Sequence, residues 1–279
     1  MTQPTSEQAA VQATEQASRT GFAPWQWALP WLALAASAPL WLQWSEPAFF
    51  MWLNRACAAL PDALWAAFST LGNGWGVLAL TAPLLVAAPR LMLAWLCAAP
   101  FAMLFARGGK AIITSPRPAA QLDQSLMRIV GEPLQYVSMP SGHTLTAFAV
   151  AAAIYFALPA RLRARGAWLW VLAALAGLAR IAVGAHWPGD VAVGAALGVV
   201  SAMLGNVLLQ RIPLRYCAVR SWPVRAAALL VLLALYHLVF DEIDFEVNAW
   251  FQAVLAVLAA LSLLWFVKAS FLGPKPAAA

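Results

Sequence analysis

The sequence predicts an all-α, polytopic membrane protein, and three observations carry that reading. Of 279 residues, 63% are hydrophobic and 10% are charged, against about a quarter charged in a soluble domain. Apolar runs close to the roughly 20 residues that cross a bilayer recur along almost the whole length. Between those runs, Lys and Arg gather in alternate loops, as the positive-inside rule describes. Together with a mean hydropathy of +0.75, this excludes a soluble catalytic domain on a single anchor. Any chemistry sits at the membrane.

Residues 1–24 are polar and rich in Gln, Ala and Thr. They lack the basic-then-apolar order of a signal peptide and the apolar surface that would offset ordering entropy, so a disordered tail is expected. Apolar runs bounded by charge, Pro and Gly then place eight spans, at 26–43, 72–88, 91–108, 142–158, 167–184, 189–209, 224–240 and 248–267. Residues 46–71 are amphipathic and interrupted by Arg55 and Asp62, which favours an interfacial path over a ninth crossing. Cys57, Cys97 and Cys217 lie far apart and suggest neither a disulfide framework nor a metal cluster. His237, inside the seventh run, belongs to no motif and reads as structural.

With the N-terminus inside, 11 of the 17 Lys and Arg residues fall on the inner side, and the acidic loop "DEIDFE" (241–246) falls outside. Both termini are then expected in the cytoplasm. Lys110, Arg117 and Arg180 are half of the six cations left outside.

Those three cations belong to stretches that carry chemistry: "KAIITSPRP" (110–118) after span three, "PSGHT" (140–144) opening span four, and "ARIAVGAHWPGD" (179–190) between spans five and six. In this topology all three reach one leaflet. Lys110 and Arg117 alone would read as snorkelling anchors, Ser141 as a helix cap and His143 as a polar interface residue. Arg180, His186 and Asp190 resist such readings, because ionisable groups at membrane depth are costly and usually functional. Two like charges 4 Å apart repel by roughly 4 kcal/mol at an effective dielectric near 20, so converging cations imply an anion between them.

A helix start supplies unpaired amides and the positive end of the helix dipole. Gly142 has no side chain to keep an anion from the main chain, Ser141 adds a hydroxyl, and His143 is placed for proton transfer. Asp190, four residues beyond His186, can fix one imidazole nitrogen and leave the other free as a nucleophile or base.

Lys110-x6-Arg117-Pro118, then Pro140-Ser141-Gly142-His143, then Arg180-x5-His186-x3-Asp190, in that order, resembles the type 2 phosphatidic acid phosphatase family. The resemblance implies a six-helix phosphatase core over 25–212 and leaves 213–279 as a two-span extension with a short tail. It implies His186 as nucleophile through a phosphohistidine, Asp190 as its orienting partner and His143 as the acid. Lys110, Arg117, Arg180, Ser141 and Gly142 would bind the phosphate, with no metal or other cofactor. The family's third motif usually begins Ser-Arg, whereas here Ala179 precedes Arg180, which removes one hydroxyl contact.

The expected activity is hydrolysis of a lipid phosphate or diphosphate, such as undecaprenyl diphosphate, phosphatidate or phosphatidylglycerophosphate, at the outer face of a bacterial inner membrane. The alternatives are a phosphotransferase acting on a second lipid such as lipid A, a lipid A phosphatase, and a non-catalytic lipid-phosphate binder or transporter. The expected partners are a lipid substrate and the bilayer, not nucleic acid; the oligomeric state is open.

Overall fold

The computed structural model describes residues 21–42 and 47–272. Most of the expected N-terminal tail therefore lies outside the described residues. The described residues are helical and contain no strand, as the apolar runs predict.

Helices α1 (Pro24–Ala36) and α2 (Ala38–Leu42) occupy the first expected span, which breaks at Ser37. Pro39 explains the break, since it has no N–H to continue the ladder and its ring crowds the preceding turn. Helices α3 (Pro47–Ala56) and α4 (Asp62–Thr70) follow, then α5 (Gly74–Thr81) and α6 (Leu84–Ala87). The second expected span is thus also two helices, separated at Pro83.

The long elements come next: α7 (Pro89–Ile112), the short α8 (Pro118–Gln121), α9 (Gly142–Ala157), the short α10 (Ala160–Arg163), α11 (Trp168–Ala182), α12 (Pro188–Leu209), α13 (Trp222–Phe240) and α14 (Ala249–Val267). Pro89 and Pro188 stand in the first turns of α7 and α12, where the missing N–H costs nothing. Four of the described helices, α7, α12, α13 and α14, are long and apolar enough to cross a bilayer. The apolar α9 and α11 have 16 and 15 residues, short of the roughly 20 that a full crossing uses.

The centre of the bundle is α9, packed against α12, α7 and α11. Gly194 and Gly198 make the α9–α12 contact possible, because added Cβ atoms there would lie 2.7 Å from the Ser141 carbonyl oxygen and 2.5 Å from that of Leu145. Small residues four apart let two backbones approach where lipid supplies no hydrophobic drive to hold helices together. Helices α13 and α14 pack on each other and against α5, sharing a core with Val77, Leu85 and Met92.

The segment expected at the interface folds over one end of this bundle. Asn54 of α3 donates to the carbonyls of Arg128 (3.0 Å) and Ile181 (2.9 Å) and accepts from the Arg128 amide at 2.8 Å. Arg128 in turn pairs with Asp62 of α4. The end they close over is where α11 stops and α12 begins.

Candidate active site

The three stretches singled out by the sequence meet at that end. Arg117, in the loop after α7, is nearly buried and held by the Tyr136 carbonyl (Nε, 2.8 Å) and the Ala185 carbonyl (Nη1, 3.0 Å). Its Nη1 lies 3.4 Å from His186 Nε2. Lys110, in the last turn of α7, is half-buried and feels the charges of Arg117, Arg180 and Asp190.

His186 and Asp190 are both buried. Asp190 stands in the first turn of α12, where its Oδ2 accepts from the Trp187 amide at 2.9 Å. The same oxygen faces His186 Nδ1 at 3.3 Å. An ionised carboxylate only accepts, so Nδ1 carries the proton and the Nε2 lone pair is directed toward Arg117. Burial first, and then the charges of Arg117, Arg180 and Lys110, push the His186 imidazole well below its ordinary value of 6.5. It is neutral at pH 7.

His143 lies in the first turn of α9, its side chain 23% exposed. It feels the charges of Arg180 and Lys110, as His186 also does. An added Cβ at Gly142 would meet nothing within 4 Å, so the start of α9 opens on free space beside both histidines. Of the two serine functions expected there, the amide is engaged, while the hydroxyl accepts within α9 and keeps its own proton to donate. The Ser141 hydroxyl caps α9, accepting from Thr144 Oγ1 at 2.9 Å, and the Ser141 amide donates to the Asp190 carbonyl at 3.1 Å. The amides left open at this helix start are then those of Gly142 and His143, which have no acceptor within the first helical turn.

Four site residues were not legible in the motifs. Ser138 donates through Oγ to Asp190 Oδ2. Ser69, at the end of α4, accepts from Arg180 Nη1 at 2.6 Å, so a hydroxyl does meet this arginine although Ala179 stands where a serine was expected. The Arg180 Nε is buried without a protein partner, leaving a donor for a ligand.

The other two residues bring a second carboxylate to the site. Asp244 comes from the loop between α13 and α14, and its Oδ2 lies 2.9 Å from His143 Nε2. Asn73, which caps α5, donates to that same oxygen at 3.0 Å. Burial pushes the Asp244 carboxyl up, but the charge and hydrogen bond of His143, with Arg180 and Asn73, outweigh it and hold the group at about 2. A run of acids in a loop carries no sequence signal that one of them reaches a distant histidine.

His237 stands apart from the site. It stacks on Trp75 with ring centroids 4.2 Å apart and pairs with Asp241 at 2.5 Å.

The arrangement offers a neutral, oriented imidazole, a second histidine, and three cations around an open helix start. Residues 91–213 match the PAP2 superfamily; that segment holds Lys110, Arg117, His143, Arg180, His186 and Asp190, but not Ser69, Asn73 or Asp244. Over 67 residues the chain is 42% identical to the bacitracin transport permease protein BcrC of Bacillus licheniformis. That stretch is 24% of this chain and 30% of the relative, so the match spans less than a third of the curated relative's length. The crystal structure of Aquifex aeolicus LpxE is similar with a TM-score of 0.49 and 28% identity, over 56% of this chain and 92% of that one.

Proposed function

We propose, from the PAP2-superfamily membership of residues 91–213, that this multi-pass membrane protein is a metal-independent lipid phosphatase working through a phosphohistidine. The observation that supports this most is His186, with Nδ1 toward Asp190 and Nε2 beside Arg117. A carrier of phosphorylated lipids would need the cations but has no use for a neutral, oriented nucleophile.

In the reaction, the Nε2 lone pair of His186 forms the bond to phosphorus while the bond to the leaving oxygen breaks. His143 gives that oxygen a proton. Lys110, Arg117, Arg180 and the first amides of α9 stabilise charge on the equatorial oxygens, the main requirement of phosphoryl transfer. Water then cleaves the P–N bond and phosphate leaves.

The lipid character of the substrate is supported by an apolar groove of about 500 Å³ between α5, α9 and α11. Its lining includes Ala147, one turn from His143, with Val150, Ile154 and Leu169 further along. A hydrocarbon chain lying there would leave its phosphate at the helix start. In the topology favoured by the charges, eight spans place this end of the bundle at the outer face of a bacterial inner membrane.

The test is phosphate release by purified protein in detergent with EDTA, across undecaprenyl diphosphate, phosphatidate, phosphatidylglycerophosphate and lipid A, with His186→Ala as the blank. Release from one lipid, absent in the blank, is expected and names the substrate. Release that continues in His186→Ala would overturn the mechanism, and release that needs an added metal ion would overturn metal independence. No release until a second lipid is supplied would establish transfer instead of hydrolysis.

A further inference from the structure

The loop between α13 and α14 contains four acids, Asp241, Glu242, Asp244 and Glu246, and they are treated differently. Asp241 is taken up by His237, while Glu242 and Glu246 are exposed. Asp244 alone points its carboxylate toward the bundle, the side chain 22% exposed, at a backbone position with φ of 61°, a left-handed conformation that Asp tolerates better than most residues. A carboxylate brought there must be compensated, and the structure compensates it from two elements: His143 of α9 and Asn73 at the start of α5.

The loop is fastened just beyond it. Phe245 packs in a cluster with Val130, Ala179 and Val183, its ring 5.8 Å from the Arg180 guanidinium. Asn248 donates to Thr70 Oγ1 at 2.5 Å. From the other face, the backbone of Gly72 is so close to His143 that an added Cβ would lie 2.3 Å from its carbonyl oxygen. Both the histidine and its carboxylate are therefore fixed by the fold.

We propose that Asp244 is the positioning residue of His143, holding its imidazole by Nε2 so that Nδ1 exchanges the proton with the reacting oxygens. The proposal rests on the phosphatase reading above and adds to it a task for the two C-terminal helices. As the P–O bond breaks, its electron pair stays on the leaving oxygen, which takes the Nδ1 proton of the imidazolium. His143 is then neutral, with Nε2–H donating to the Asp244 carboxylate. In the second step Nδ1 takes a proton from water as the new P–O bond forms and the P–N electron pair returns to His186. Asp244 remains ionised throughout. The site is thus built from two His–Asp pairs: one lies within the matched segment, and the other is completed by the C-terminal helices.

The experiment compares Asp244→Asn with wild type on an alkyl phosphate, whose leaving group needs a proton, and on nitrophenyl phosphate, whose leaving group does not. The value of kcat/KM for the alkyl ester, which reads formation of the phosphoenzyme, should fall within the roughly 10²- to 10⁴-fold that general acid help supplies, while kcat/KM for the nitrophenyl ester is nearly unchanged. His143→Ala should show the same split, and adding Asp244→Asn to it should cost nothing further. A purely structural role for Asp244 would lower both substrates alike, and an Asp244 that merely occupies the anion site would make Asp244→Asn faster; either result overturns the proposal. If Asp244→Asn does not fold, Asn73→Ala removes the second support of the carboxylate and must show the same leaving-group split, or the proposal fails. Activity surviving in His186→Ala would sink the phosphatase reading itself, whereas a dead His186→Ala beside an unaffected Asp244→Asn would sink only the role of Asp244.

Discussion

His186 and Asp190 are four residues apart, and their pairing needs only a tight turn and the first turn of α12. That is why the pair could be read from spacing. Asp190→Asn keeps the shape but can present a donor to Nδ1, favouring the wrong tautomer; a loss of up to about 10⁴-fold in kcat is expected, read as phosphate release at saturating substrate. Ser138→Ala should cost less, since the Trp187 amide still holds Asp190; a loss as large as that of Asp190→Asn would show that the serine itself handles the proton. The pH dependence has a definite sign. A protonated imidazole is not a nucleophile, and burial among cations holds the folded-state value of His186 below 6.5, so kcat/KM should persist as pH falls through 6.5 and fail only below it. An acid limb centred above 6.5 would contradict the assignment. Ser69, Asn73 and Asp244 were not legible at this scale because each meets its partner across more than 100 positions.

Among the elements, α9 and α12 decide the geometry of the site, since one starts at His143 and the other at the turn after His186. Gly194→Ala would place a Cβ 2.7 Å from the Ser141 carbonyl oxygen, forcing the two helix starts apart. Overpacking of this kind costs about 1–3 kcal/mol, measured as a lowered melting temperature in detergent, with activity falling alongside. Gly74→Ala is the control, because an added Cβ there meets nothing within 4 Å. The groove gives a second expectation: Val150→Trp, filling part of its lining, should raise KM for a long-chain lipid phosphate by about tenfold and leave a short-chain phosphate unaffected, the pattern of lost uniform binding. Equal effects on both would show that the hydrocarbon chain lies elsewhere. Element positions were largely legible, with α12 at 188–209 against the expected 189–209. The misreadings fell at Pro39 and Pro83, where hydropathy stays high while the backbone ladder is cut.

For the whole molecule, the distribution of 17 cations expects the site outside and both termini inside. A single cysteine at Glu242, in the exposed loop beside the site, introduced into a chain lacking Cys57, Cys97 and Cys217, should react with an impermeant maleimide in intact spheroplasts. One at Arg163 should react only after lysis. The reverse pattern would invert the topology and move the chemistry to the cytoplasmic face. The fold also shows why the C-terminal helices are more than an appendage: α13 and α14 pack on α5, and their connection carries Asp244 to His143.

The sequence by itself determined that the chain is a helical membrane protein, where most of its long helices run, and that Lys110, Arg117, His143, Arg180, His186 and Asp190 form one constellation. Hydropathy and short-range spacing are local properties, and the three motifs lie at helix ends whose alternation brings them to one face. Only the tertiary structure decided that the Ser141 hydroxyl caps a helix, that Ser69 meets Arg180, and that one acid of a distant loop joins His143. Those outcomes depend on how closely α9, α5 and the α13–α14 pair approach one another. Side-chain volumes and glycine positions set that approach collectively, and no single stretch of sequence records the result.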